Sequence, residues 1–428
     1  MKKRQSFILA ILLSFFLVGC LSHNSGISHP LKSAPPVQPS SDSVINIPEN
    51  HQSISEPVEI TVGYIEDFSG TFSQILDAFN HSQDQVIVHH KAYADMEKLT
   101  LDMLTADGPD MICTQSILHQ MEIYAAKGFL LPITDFLCHD FQNDLYFTNV
   151  LQAGMDDGEI YFFTPFYRIS AYAAPTAVVG NMERITTLEE FQTVFADVPP
   201  EMLYCAMIQT NILSLFMCEG SDTFIDYDTN TANFDTEAFR NILEYCGRFA
   251  ATPEECDLET CNVFFNSNIY SAEYLQKRAS ARERYTPYGS EITYMSAPFT
   301  THEGLAIRGE YYMGISSQTD QPEAVKELMR FFLTEEIQMM GQYDYLGLLP
   351  ILRSARKAYD DTWPEMIEYD KTLVSLIERT DHYIDSYYPP VLDIILDEAS
   401  YFFSGIHTAE KTAALIQDRV TLYLTEKG

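Results

Sequence analysis

Ser354 and Lys357 stand at S-x-x-K spacing, which lets a lysine amine take the proton of a serine nucleophile. That chemistry also needs S-D-N and K-T-G partners, and neither occurs in the chain, so the pair reads as an exposed helical turn. His89 and His90 are adjacent in a strand-like segment, where neighbouring side chains point to opposite faces and cannot share one metal ion. The other histidines are scattered. Asp156-Asp157 and Glu254-Glu255 pair carboxylates, as acid–base chemistry requires. Both lie in polar, turn-like sequence, however, and among 61 acidic residues adjacency carries almost no information. G-x-G-x-x-G, Walker A, H-E-x-x-H and G-x-S-x-G are all absent. The expectation is a protein with no catalytic group, no cofactor and no metal, whose chemistry is binding.

One cysteine is set apart by what precedes it. Lys2, Lys3 and Arg4 open the chain, an apolar run extends from Phe7 to Val18, and Leu17-Val18-Gly19 leads into Cys20. A basic start and a short apolar stretch are the parts of a secretory signal, too short for a membrane span. Small residues before the cysteine resemble the lipobox of bacterial lipoproteins. That resemblance implies cleavage after residue 19 and lipid, palmitate included, on Cys20. The chain would then sit on the extracellular face of a bacterial cell membrane. Residues 20–57 are expected to be a tether, because 21–56 are rich in Ser, Pro, His and Asn with no amphipathic period. As a flexible coil they would span about 33 Å on average.

The formal charge of −35 becomes −38 once Lys2, Lys3 and Arg4 leave with the signal. Such a surface repels nucleic acid and disfavours anionic ligands at long range. A hydrophobic fraction of 46% supports large cores, and the length calls for about two domains or lobes. Cys113, Cys138, Cys205, Cys218, Cys246, Cys256 and Cys261 remain after Cys20. Their odd number and the apolar runs around several of them point mostly to reduced, buried thiols.

The elements follow from periodicity. Val58 to Val62 alternates as a strand, and Phe72, Ile75, Leu76 and Phe79 mark one helical face. A strand from Val86 to about Lys91 precedes a helix carrying Met96, Leu99, Met103 and Leu104, then the short strand Met111 to Cys113. Strands alternating with helices indicate an α/β sheet whose ligands sit at the carboxyl ends of strands. Further on, Asn262 to Phe265 reads as a strand, and Asp320 to Glu323 as a capping box before Val325, Leu328, Met329 and Phe332. A helix from Val391 to about Phe403 breaks at Gly405, and Thr408 caps a last helix carrying Ala409, Ala413, Ile416, Val420 and Leu424.

Six stretches, in order over residues 58 to 428, resemble extracellular solute-binding protein family 1, the maltose-binding type serving ABC importers. Gly108-Pro-Asp-Met-Ile is similar to its "GPD-I" strand entry, and Ala126-Lys-Gly-Phe-Leu-Leu-Pro-Ile to its "KGLL-PL" turn. Phe224 through Asp235 resembles "FVD–TGK–FD" before the helix from Phe239 to Phe249. Tyr312-Met-Gly-Ile-Ser followed by Glu323 to Gln338, Leu348-Leu-Pro350, and Ser404 through Glu426 complete the series. Ala171-Tyr-Ala-Ala-Pro-Thr departs from it, lacking the asparagine and the tryptophan usual after the crossover strand.

The resemblance implies a type II periplasmic-binding fold, with two α/β lobes joined by hinge strands. The lobes would be 58–166 with 300–347 and 167–299 with 348–428. It implies a monomer that closes on a small solute and presents it to permease subunits. Carried position by position, it nominates Glu66, Asp67, Phe68, Thr114, Gln115 and Ser116 in the first lobe and Tyr167 and Arg168 at the crossover. In the second lobe it nominates Gln209, Thr210, Asn211, Asn266, Asn268, Tyr270, Tyr387 and Tyr388. Arg308 and Glu310 are added from a loop that would face the cleft. Amides beside aromatics suit neutral polyhydroxyl ligands, so an oligosaccharide or other sugar is the first expectation. A cationic solute such as a polyamine or basic peptide, a binding lipoprotein outside transport, and a surface hydrolase stay open as alternatives. The single tryptophan, Trp363, falls on a peripheral turn in this alignment.

Overall fold

The computed structural model describes residues 56–65, 70–105, 107–141, 144–203, 208–226, 229–249, 263–285, 287–343, 347–357, 363–384 and 390–427. The chain divides into two units, Met1–Ser55 and Glu56–Gly428, and all described residues lie in the second. Cys20 therefore lies outside the described residues.

In the first sheet, β1 (Val58–Ile65) pairs in parallel with β2 (Val86–Tyr93) and β3 (Met111–Gln115). β13 (Tyr311–Ile315) runs antiparallel to β3 and β6 (Phe162–Phe163) to β13, giving the order β2-β1-β3-β13-β6. The second sheet has the order β10 (Phe265–Ile269), β7 (Phe166–Pro175), β12 (Leu305–Gly309), β15 (Thr380–Ile384). β11 (Ile292–Met295) and β14 (Leu349–Pro350) also pair with β7. Two small hairpins, β4 (Met155–Asp156) with β5 (Glu159–Ile160) and β8 (Ile225–Asp226) with β9 (Thr231–Ala232), stand apart.

The helix Thr71–Ser82 buries Phe72, Ile75, Leu76 and Phe79, the four positions its 3.6-residue period requires. Burying each such side chain contributes about 1.5–3 kcal/mol. The helix Met96–Met103 buries Leu99 and Met103, but Leu104 is its C-cap and stays exposed, so the expected face is one residue shorter. The helix Pro322–Phe332 buries Val325, Leu328, Met329 and Phe332 as expected. Its capping box does not form. Gln321 is the N-cap and makes no side-chain bond, because Pro322, with its fixed φ, takes the first helical position and moves the start one residue on. The last helix is capped as expected, Lys411 N donating to Thr408 Oγ1 at 3.2 Å.

The strand expected at 262–265 lies later, over Phe265–Ile269. Val263 and Phe264 instead donate their backbone N–H groups to Met202 and Leu203, and β-pairing with β7 begins at Phe265. No disulfide joins the described cysteines Cys113, Cys138, Cys218 and Cys246 to one another.

β7 is buried at every position except Arg168, because both faces of the second sheet are covered. One face carries Ile169, Ala171, Ala173, Ile307 and Tyr383 into a core shared with the first sheet and with the helices Ala272–Tyr285 and Pro364–Glu378. The other carries Tyr172 and Ala174 into a second core under the helices Gln209–Gly220, Glu237–Cys246, Pro390–Phe403 and Ala409–Lys427.

The chain passes between sheets at Thr164-Pro165 (β6 to β7) and at Glu310 (β12 to β13), and returns through β14. Within 300–347, β12 thus lies in the second sheet and β13 in the first. Gln338, fully buried, ties two of these passages. Its Nε2 donates to Pro165 O at 3.0 Å and to Phe332 O at 2.9 Å. Its Oε1 accepts from Ile351 N at 2.6 Å and Leu352 N at 3.2 Å. At the Glu310 passage, a Cβ on Gly309 would meet the Tyr312 ring at 2.6 Å and Thr164 Cβ at 2.9 Å, so only glycine fits there.

Candidate ligand-binding site

Residues directly opposite in an antiparallel pair share a sheet face. The register sets Arg308 against Arg168, Ser170 against Asn268 and Tyr172 against Asn266. β15 adds His382 opposite Ala306. A single face of the second sheet therefore carries Arg168, Ser170, Asn266, Asn268, Arg308 and His382.

Two cations facing one another repel unless each is answered. Glu310 Oε2 lies 3.5 Å from Arg168 Nη1, and Glu219 Oε1 lies 3.4 Å from Arg308 Nη2. Glu310 Oε1 also accepts from Gln115 Nε2 at 2.9 Å, so one carboxylate joins the end of β3 in the first sheet to β7 in the second. Arg168 Nε donates to Gly347 O at 3.1 Å. Ser170 Oγ donates to Glu219 Oε1 at 3.1 Å and accepts from Asn266 Nδ2 at 3.4 Å. Burial pushes the Glu219 carboxyl above the ordinary carboxylate range, further than Arg308, His382 and Ser170 pull it back. For Arg308 burial works against the charge, and Cys218 and Glu219 beside it more than restore it.

Ser116 turns the chain out of β3 with φ 58°, a left-handed conformation rare for a residue with a side chain. Its N–H donates to Glu310 O at 2.9 Å, which holds the turn against the passage between sheets. Tyr270, at the end of β10, lines a cavity of about 260 Å³ with Gly347, Leu349, Arg356, Lys357 and Asp370. Gly347 (φ 54°) sits so close that a Cβ there would lie 2.9 Å from the Tyr270 ring. The cavity thus adjoins the Arg168 network through Gly347.

Of the residues nominated from sequence, the fold brings together Gln115, Ser116, Arg168, Asn266, Asn268, Arg308 and Glu310, with Tyr270 alongside. Asn266 and Asn268 lie within β10, not after a strand as expected. Thr114 is fully buried and donates to Ile117 O. Tyr167 points to the opposite face, into the first core, where its hydroxyl has no hydrogen-bond partner among the described residues. Gln209, Thr210 and Asn211 form the first turn of the helix Gln209–Gly220. Glu219 is at the far end of that helix, about 15 Å away at 1.5 Å per residue; Gln209 Nε2 donates instead to Gly247 O at 3.2 Å. Trp363 is an exposed N-cap of the helix Pro364–Glu378. Glu66, Asp67, Phe68, Tyr387 and Tyr388 lie outside the described residues.

The other sequence motifs sort as follows. Ser354 is exposed and Lys357 pairs with Glu273. Asp156 and Asp157 form an exposed hairpin turn. His89 and His90 pair separately, with Glu59 and Asp77.

Glu219 and Ser170 were not nominated. Glu219 did carry a signal, being the one charge in the apolar run Ile212–Gly220. His302, Asp381 and His382 also come together; no spacing betrays them, because they are contributed from either side of some eighty intervening positions.

The arrangement offers guanidinium donors, carboxylate acceptors and amides at a junction between two sheets. That is equipment for orienting a polar guest.

The sequence matches no protein-family model and no curated protein. Solved structures do match. The sugar-binding protein MalE from the phytopathogen Xanthomonas citri aligns with a TM-score of 0.57 at 15% identity, over 86% of this chain and 98% of that one. An extracellular solute-binding protein of family 1 from Alicyclobacillus acidocaldarius aligns at 0.54 and 14%, over 86% and 99%. The cyclic alpha-maltosyl-1,6-maltose binding protein from Arthrobacter globiformis aligns at 0.53 and 16%, over 86% and 100%. The fold is that of the extracellular solute-binding proteins. In this fold the Gln115–Glu310–Arg168 part of the polar array lies where the chain crosses between the two sheets. Among the described residues no helix is long and apolar enough to cross a membrane.

Proposed function

We propose that this chain is the solute-capturing component of an ABC importer, held at the extracellular face of the membrane by lipid on Cys20. It takes an oligosaccharide or other neutral sugar between its lobes, closes, and presents the closed form to permease subunits without altering the solute. The observation that carries the reading is Glu310, which contacts Gln115 of the first sheet and Arg168 of the second at a passage between them. A ligand bonded on both sides of such a junction favours the closed form by its differential affinity. The lobe boundary falls at 164–166, 309–311 and 347–350. Two similar structures are described as sugar-binding and maltosyl-maltose-binding proteins, which supports the sugar class.

The local charge balance also favours a neutral guest. Arg168 and Glu310, with Arg308 and Glu219, balance among themselves, so a polyamine would find no net negative well among them.

Thermal melts of the protein against linear and cyclic maltodextrins, other sugars and polyamines test this. One sugar class should raise the midpoint in a concentration-dependent way, and Gln115→Ala should abolish the shift. An upshift by polyamines alone would select the cationic alternative. Labelling cells with a palmitate analogue should mark the wild type and not Cys20→Ala.

A further inference from the structure

A second polar cluster lies at the edge of the same sheet. His302, Asp381 and His382 each offer one ligand atom, and these atoms all lie within 4.8 Å of one another. The rings of His302 and His382 stack 3.6 Å apart and 5° from parallel. Asp381 Oδ1 lies 2.6 Å from His382 Nδ1.

Asp381 and His382 are consecutive in a strand and should point to opposite faces. They meet because the pairing of β12 with β15 slips between Leu305 and Ala306: Leu305 pairs with Thr380, Ala306 with His382, and Asp381 is the extra residue. Such a bulge is rare in a parallel pair, and bulges re-aim side chains beside functional sites. Gly304 completes the arrangement. Its N–H donates to Asp381 Oδ2 at 2.7 Å, and a Cβ there would lie 2.6 Å from Asp381 Cγ and 2.3 Å from Arg379 O.

The surroundings are prepared as well. The His382 side chain is only 8% exposed, and its buried Nε2 has no hydrogen-bond partner among the described residues. Asp222 stands behind His302, its Oδ2 3.9 Å from His302 Nε2, held by Thr300 Oγ1 at 2.7 Å and Thr301 Oγ1 at 3.0 Å. A carboxylate behind a ligating imidazole fixes its tautomer and orientation. His302 and Asp381 reach solvent, which leaves a path for an ion.

We propose that His302, Asp381 and His382 bind one borderline divalent metal ion of the zinc class, with Asp222 positioning His302. Two imidazoles and a carboxylate suit such ions, whereas the all-oxygen preference of magnesium and calcium excludes them. Both imidazole lone pairs reach one ion only when the exposed His302 ring leaves its parallel stack on His382 and turns toward Asp222, which then accepts its Nε2–H. The ion pins the 300–304 turn to β15, beside the Arg308–Glu219 pair, and leaves the sugar-binding proposal independent of it.

Titrating the metal-free full-length protein with zinc and with cobalt tests this. One equivalent of zinc should bind and raise the melting midpoint, and magnesium should not. Cobalt should give a visible d–d spectrum with no thiolate charge-transfer band. His302→Ala, an exposed site that leaves the buried ring in place, should abolish binding, and Asp222→Asn should weaken it about 10–100-fold. No zinc uptake, uptake unchanged in His302→Ala, or a cobalt–thiolate band would each overturn the proposal.

Discussion

Arg168 and Arg308 face each other across β7 and β12, and each has its own carboxylate: Glu310 for the first, Glu219 for the second. The two pairs differ in kind. Glu310 also reaches into the other sheet through Gln115, whereas Glu219 is held beneath the second sheet by Ser170.

Glu310→Ala removes the acceptor for Gln115 Nε2 and the partner of Arg168. Both donors are half-buried and Arg168 keeps Gly347 O, so the loss is about 0.5–1.5 kcal/mol, that of an ordinary hydrogen bond. Urea unfolding should show a lower midpoint with unchanged slope, together with loss of any sugar-induced upshift. A variant that keeps full response to its sugar would remove Glu310 from the binding machinery.

Glu219 should give a pH signature. Its folded pKa is raised, so the unfolded chain gives up this proton first as pH rises. Its contribution is greatest below the unfolded carboxylate value of about 4.3 and is lost as pH rises through the folded value. The stability difference, wild type minus Glu219→Gln, should therefore fall between acidic and neutral pH. A difference that rises instead contradicts the burial argument.

Gln338→Leu leaves Pro165 O, Ile351 N and Leu352 N without their partner in a buried setting. At about 1–3 kcal/mol for each such group, this should be among the most damaging single polar substitutions in the chain. Equilibrium denaturation measures it directly; a loss under about 1 kcal/mol would mean that water replaces the amide.

Gly309→Ala forces a methyl into the Tyr312 ring and Thr164. Overpacking of this kind costs about 1–3 kcal/mol. Because Tyr312→Leu also strips Gly309 N and Ile384 O of the Tyr312 hydroxyl, the cost of Gly309→Ala is measured again in a Tyr312→Leu background, where it should be smaller; an undiminished cost would place the clash at Thr164 or in the backbone.

Local pattern was legible in the sequence, and long-range pairing was not. Phe72, Ile75, Leu76 and Phe79, or Ala413, Ile416 and Val420, declare a buried helical face because the period is contained in the segment itself. The change of sheet at Glu310 has no such local mark. The slip at Asp381 depends on strands some seventy-five positions apart. Asn266 and Asn268 gain their meaning only from the register with β7. The resemblance to the solute-binding family nominates Gln115 and Arg168, which the fold brings together with Arg308 and Glu310. It also nominated Tyr167 and Gln209, whose side chains the packing directs elsewhere. Pro322 displaced a cap that the residue pattern alone had favoured.

The amide of Gln338 holds Pro165 with one end and Ile351 with the other. Two of the three passages between the sheets are thereby spliced into a single cord and cannot slide against each other while those bonds persist. One uncharged side chain thus yokes two stretches of backbone that lie far apart in the chain, leaving the Gly309–Glu310 passage outside that tie.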